Sequence, residues 1–139
     1  MEENVFVVPV KALRDEGTSY HYMAPGRYVE TCDKALRAIE KTLNQHNLPH
    51  RAVTTWTTDA FYRETREKII ARKAEGCHVV DMECAALCAC AAFRGKTFGQ
   101  LLFTADSLSD VEKYDERGFG LESWEYALEL CLDTLVNLD

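Results

Sequence analysis

Asp81-Met82-Glu83 sets two carboxylates around a methionine. A third acid, Asp106, closes an apolar run, and an aromatic follows an acid at Asp59-Ala60-Phe61. Carboxylates in different surroundings can take different roles. One at the mouth of an apolar pocket has its pKa raised and can donate a proton, whereas one that stays ionised can stabilise a developing positive charge. A flat aromatic ring can stack on a flat heterocycle. Each of these residues also has a structural reading. Glu83 suits the first turn of a helix, where the macrodipole favours an acid, and on pattern alone that reading is the better supported. Asp106 suits a turn after a strand, and Phe61 suits a core. Arg14-Asp15-Glu16 and His21 read as a solvated loop, although Arg14 or Arg27 could meet an anion.

The elements that must position these residues follow from periodicity. Val5–Val10 is short, β-branched and nearly continuous, as a strand buried on both faces would be. Pro9 predicts an end to its pairing or an edge position. Apolar residues spaced by three and four predict a helix from about Tyr28 to Asn44, stopped by Asn47 and Pro49. Arg51–Thr57 reads as a second strand. A polar helix over Glu64–Ala74 ends at Gly76, and Cys77–Met82 reads as a third strand. This strand runs into an almost wholly apolar, buried helix, Glu83–Phe93, ended by Gly95. Gln100–Ala105 reads as a fourth strand. A last helix over Trp124–Leu138 should turn Tyr126, Leu128, Cys131, Leu132 and Leu135 inward. Alternating strands and helices predict an α/β domain: a mainly parallel or mixed sheet, covered by helices in three layers. Chemistry in such sheets gathers where strands end, which is where Phe61, Asp81–Glu83 and Asp106 fall.

The chain has 139 residues, which suggests a single domain over 1–139. Hydrophobic residues make up 47% and charged residues 28%, a globular composition. A net charge of -7 argues against nucleic-acid binding, which needs clustered cations. No stretch is long and apolar enough to span a membrane. Six cysteines lie partly among alanines, and no signal peptide precedes them. Reduced thiols and a cytoplasmic location are therefore expected. The cysteine and histidine spacings match no metal site.

Four runs resemble the nucleoside phosphorylase and nucleosidase superfamily, which includes purine nucleoside phosphorylase, uridine phosphorylase and methylthioadenosine nucleosidase. They are Ala12–Tyr22, Thr58–Tyr62, Val80–Ala86 and Phe103–Ser107, in the family's order. The resemblance implies that Phe61 packs on the base, Met82 lies against the ribose, Glu83 bonds the ribose hydroxyls and Asp106 protonates the base. The resemblance also implies that Asp81 binds substrate, although it stands where the family commonly has the longer glutamate, and Ala105 stands where a serine is frequent. The likeness covers the family's carboxyl-terminal half only. It implies a phosphorylase/hydrolase-like fold truncated on its amino-terminal side, lacking the loops that grip phosphate. The activity implied is phosphorolysis of a purine-type nucleoside, with inorganic phosphate as co-substrate and no cofactor. A nucleosidase, or a nucleoside-binding or assembly remnant without turnover, are the alternatives. Missing strands would leave an exposed edge or face, so a homo-oligomer or a complex with a separate amino-terminal half is expected.

Overall fold

A computed structural model of the chain describes residues 6–103 and 124–138. Among these described residues there are five strands: β1 (Phe6–Asp15), β2 (Tyr28–Glu30), β3 (His50–Thr58), β4 (Val79–Asp81) and β5 (Leu102–Phe103). Four helices accompany them: α1 (Asp33–Gln45), α2 (Arg66–Ala74), α3 (Cys84–Phe93) and α4 (Trp124–Val136). Short 3-10 turns lie at Thr18–His21 and Phe61–Arg63. The strand order is β2-β1-β3-β4, with β5 also pairing β1. β1, β3 and β4 are parallel, whereas β2 and β5 run antiparallel to β1. The architecture is thus a mixed sheet flanked by helices.

The longest departure from expectation is β1. It continues through Val10 and Arg14 to Asp15, so residues expected in a loop belong to the central strand. Pro9 sits inside it, not at its end. A register shift between Pro9 and Lys11 absorbs the missing N–H, and Pro9's carbonyl accepts a 2.6 Å bond from the Thr31 hydroxyl. Past this bulge Leu13 lies on the face of Phe6 and Val8, while Ala12 lies on the other, by their pairing with Trp56, Ala52 and Thr55 of β3. Phe6 and Val8 pack with Ile39 and Leu43 of α1 and Leu130 of α4. On the same face Leu13 and Trp56 pack with Ile69 of α2 and with Cys77. Ala12 packs on the opposite face with Val29, Cys84, Ala85 and Cys88, which seats α3 there. The three layers follow from this division.

The first helix begins at Asp33, because Tyr28–Glu30 pair with β1 as a strand. Three helices finish alike, as the punctuation predicts. The first residue past the cap has positive φ (Asn47 54°, Gly76 86°, Gly95 61°), and the next N–H reaches back to a helix carbonyl. Gly99 allows a close approach. A Cβ there would meet the Ala35 Cβ at 2.7 Å and the Ile39 Cδ1 at 3.0 Å. All six cysteines are free thiols. Burial and the neighbouring Cys88 push the Cys84 thiol far up, so it stays protonated; contact with Cys88 is the larger cause.

The expected inner stripe of the last helix is corrected. Leu130 is fully buried, with Tyr126 and Ala127 packed beside it, while Leu128, Cys131, Leu132 and Leu135 are exposed. α4 is apolar on most sides, so period alone does not choose the face. Among the described residues no helix is long and apolar enough to cross a membrane.

Candidate functional site

The carboxyl ends of β1, β3 and β4 lie together. Asp15 pairs with Thr58, and Thr57 pairs with Asp81. Phe61 sits in the 3-10 turn just beyond β3, and Met82 and Glu83 follow β4 directly. Three of the residues expected to act on a ligand, Phe61, Met82 and Glu83, are therefore at one end of adjacent strands. Asp106 lies outside the described residues.

β3 reads Thr54-Thr55-Trp56-Thr57-Thr58, and the alternation sends Thr55 and Thr57 to the α3 side. Both are fully buried, and each hydroxyl donates to Asp81 Oδ1, at 2.7 and 2.9 Å. The other carboxylate oxygen, Oδ2, accepts the N–H groups of Glu83 and Cys84, at 3.0 and 2.6 Å. Asp81 thus caps α3, satisfying N–H groups that the helix cannot pair itself. The Thr57 hydroxyl also accepts the Ala85 N–H at 3.1 Å, tying the start of α3 to the sheet. Four donors occupy the Asp81 carboxylate, which leaves it holding the Met82-Glu83 turn in place.

Glu83 is different. It is exposed, and among the described residues no side-chain hydrogen bond or ion pair engages its carboxylate. Met82 is 45% exposed and Phe61 50%, high values for large apolar side chains next to a strand end. The Phe61 ring is tilted 38° against Tyr62, with centroids 4.0 Å apart. The Thr58 hydroxyl accepts the Ala60 N–H at 3.2 Å, and Asp59 Oδ2 accepts the Gly17 N–H at 2.9 Å. This second bond joins the loop after β3 to the loop after β1.

The charged run at the end of β1 is spent internally. Arg14 is 2% exposed. Its guanidinium donates to Ser19 Oγ at 2.8 Å, to the Ala24 carbonyl at 2.8 Å and to the Met23 carbonyl at 3.3 Å, and it lies over the Tyr20 ring. Glu16 accepts both the Ser19 hydroxyl and, at 2.8 Å, the Ser19 N–H. Asp15 accepts from Trp56 Nε1 at 3.0 Å and Arg72 at 3.1 Å, with Lys68 at 3.5 Å. Burial alone would raise the Asp15 pKa, but these hydrogen bonds and positive charges outweigh it and hold the carboxyl below its ordinary range. Arg27, the other arginine considered for an anion, pairs with Glu75 at 2.7 Å. Sequence reasoning missed Arg14 as a latch, and also the Thr55–Thr57–Asp81 bridge. The alternating threonines beside an acid at the next strand's end are the signal for that bridge. Among the described residues no group of three or more His, Cys, Asp or Glu side chains is placed to hold a metal ion.

Known proteins provide the context for this geometry. AMP nucleosidase from Bacteroides thetaiotaomicron VPI-5482 is similar in structure, with TM-score 0.74 and 24% identity over 96% of this chain and 54% of that one. Purine nucleoside phosphorylase from Toxoplasma gondii, in complex with immucillin-H, superposes with TM-score 0.83 at 18% identity, over 99% and 57%. The P. knowlesi homologue of P. falciparum PNP gives 0.74 at 16%, over 96% and 54%. These likenesses establish the fold, and the chain spans just over half the length of each. No curated protein matches the sequence. The phosphorylase superfamily model matches residues 1–137, nearly the whole chain, and the chain therefore belongs to the phosphorylase superfamily.

Proposed function

We propose that this chain carries the base- and ribose-binding side of an enzyme that cleaves a purine-type nucleoside with inorganic phosphate, giving free base and ribose 1-phosphate. Membership of the superfamily supports the reaction class. The observation that carries the assignment to this site is the contrast at the end of β4. Asp81 is saturated by four donors, while Glu83, two residues on, is exposed with an unengaged carboxylate among the described residues.

In this reading the base stacks on Phe61, the ribose lies against Met82, and Glu83 accepts hydrogen bonds from the ribose hydroxyls. Phosphate oxygen bonds to C1 of the sugar as the C1–N bond breaks and its electron pair leaves with the base. Positive charge builds on the sugar and negative charge on the base. The Glu83 carboxylate stabilises the first, and a proton from Asp106 neutralises the second. Asp81 positions the turn and does not touch the ribose. The reaction needs no cofactor beyond phosphate as co-substrate. The likeness to AMP nucleosidase supports a second reading, in which water replaces phosphate.

Incubating the pure protein with inosine, adenosine, uridine and AMP, with and without phosphate, separates these. Phosphate-dependent base release from the purine nucleosides is expected. Release without phosphate shifts the assignment to hydrolysis. Thermal stabilisation by nucleoside without release indicates a binding protein of the same fold. Neither release nor stabilisation contradicts all three.

A further inference from the structure

We propose that Asp59 is a positioning residue for the base-stacking ring of Phe61, acting through the Gly17 N–H; the proposal rests on the nucleoside reading of this site. Phe61 is half exposed and belongs to none of the buried clusters of the described residues. Its ring neighbour is Tyr62, itself 89% exposed. Core packing therefore does not fix where the ring stands. The backbone of the 3-10 turn must do so. In that turn the Arg63 N–H donates to the Ala60 carbonyl at 2.7 Å, and the Glu64 N–H donates to the Phe61 carbonyl at 3.1 Å.

Such a turn needs an anchor outside itself. The pairing of β1 with β3 ends at Asp15 and Thr58, and both segments leave the sheet there. The Thr58 hydroxyl accepts the Ala60 N–H, a bond within the entry of the turn. Asp59 Oδ2 instead crosses to the Gly17 N–H at 2.9 Å, 42 residues away along the chain. The Gly17 side of this bond is held firmly. Glu16 is 7% exposed and accepts both the N–H and the hydroxyl of Ser19. Ser19 is fully buried and accepts from Arg14, so the segment around Gly17 is pinned from beneath. Gly17 has φ -90°, and a Cβ there would meet Asp59 Oδ2 at an ordinary 3.7 Å. What Gly17 supplies is its N–H, not a missing side chain. Asp59 thus stands to Phe61 as Asp81 stands to Glu83. In each case an acid two residues ahead is spent on a backbone N–H, and the turn that follows keeps its place. A stacking ring binds more tightly when its ordering is complete before the ligand arrives.

Two variants separate positioning from direct contact. Asp59→Asn keeps an acceptor oxygen and loses the charge, whereas Asp59→Ala loses both. In the unliganded protein, hydrogen exchange at the Arg63 and Glu64 N–H groups should quicken about 3- to 10-fold in Asp59→Ala and keep the wild-type rate in Asp59→Asn. The dissociation constant for inosine, by calorimetry, should rise by a similar factor in Asp59→Ala and stay close to wild type in Asp59→Asn. In a Phe61→Ala background, Asp59→Ala should add nothing. Unaltered exchange in Asp59→Ala would overturn the positioning role, whether or not inosine binds. Equal losses of affinity in Asp59→Asn and Asp59→Ala, or losses that add to that of Phe61→Ala, would overturn it in favour of direct contact. A wild type that shows the expected exchange pattern but does not bind inosine contradicts the nucleoside reading itself, and the proposal falls with it.

Discussion

Asp81 and Glu83 are the same kind of group, two residues apart, and the structure treats them in opposite ways. Asp81 accepts four hydrogen bonds from Thr55, Thr57, Glu83 and Cys84, whereas the Glu83 carboxylate has no such partner among the described residues. The same division separates the charged run of β1 from the turn after β3. Arg14, Asp15 and Glu16 are consumed in holding loops and helices together, while Phe61 stays half exposed. A carboxylate already satisfied fixes geometry. One left open at a strand end is available to a ligand. Which role an acid takes is decided by its donors and not by its place in a motif.

Substitutions can break that contrast. The largest effect is expected from Glu83→Gln. It should cost about 3–4 kcal/mol of transition-state stabilisation, on the order of 10²–10³ in rate. Its melting temperature should stay close to wild type, because an exposed side chain without partners contributes little to stability. Steady-state rates and calorimetry measure the two halves of this statement. Asp81→Ala should do the reverse in stability, losing about 2–4 kcal/mol by denaturant unfolding as a helix cap and two buried hydroxyls lose their acceptor. Gly99→Ala, remote from the site, should cost about 1–3 kcal/mol by overpacking against Ala35 and Ile39, with nucleoside affinity retained.

The smallest effect is a pH dependence. Asp15 and Glu75 both have pKa values below their ordinary range. For each, desolvation opposes the shift, and hydrogen bonds and charge from arginines prevail. A depressed folded-state pKa binds protons less readily than the unfolded chain does. The stability these groups add is therefore complete above the ordinary carboxylate range, and it is lost as pH falls below about 4 through their folded values. Melting temperature should fall on acidification from about pH 5 to 3, less steeply in Asp15→Asn.

Much of this arrangement was legible in the residues. The helix stops at Asn47, Gly76 and Gly95 follow from their tolerance of positive φ, and each was placed correctly. The alternation of strands and helices announced the layered sheet, and the strand ends announced where Phe61, Met82 and Glu83 would lie. What failed depended on tertiary partners. Arg14 and Glu16 read as loop because nothing local shows that Ser19, Met23 and Ala24 would satisfy them inside, and Asp15 because its partners Trp56 and Arg72 lie far along the chain. Pro9 read as a strand end because a bulge is set by the neighbouring strand's register. Leu128, Leu132 and Leu135 read as inward because their period is helical and apolar, and no sequence period says which of two apolar faces meets the sheet. The bridge from Asp81 to β3 was missed for the same reason, as two of its four donors, Thr55 and Thr57, come from a strand more than 20 residues away.

The claim that Phe61, Met82 and Glu83 form a nucleoside site is tested most directly by the methionine methyl resonances. The chain has three methionines, Met1, Met23 and Met82. With methyl-labelled protein titrated with inosine, the Met82 signal, assigned by Met82→Leu, should move saturably, while Met23, packed against the α3 cluster, should hold still. Glu83→Gln should weaken the titration. A Met82 methyl unmoved by inosine, or one that moves equally in wild type and Glu83→Gln, would contradict the account.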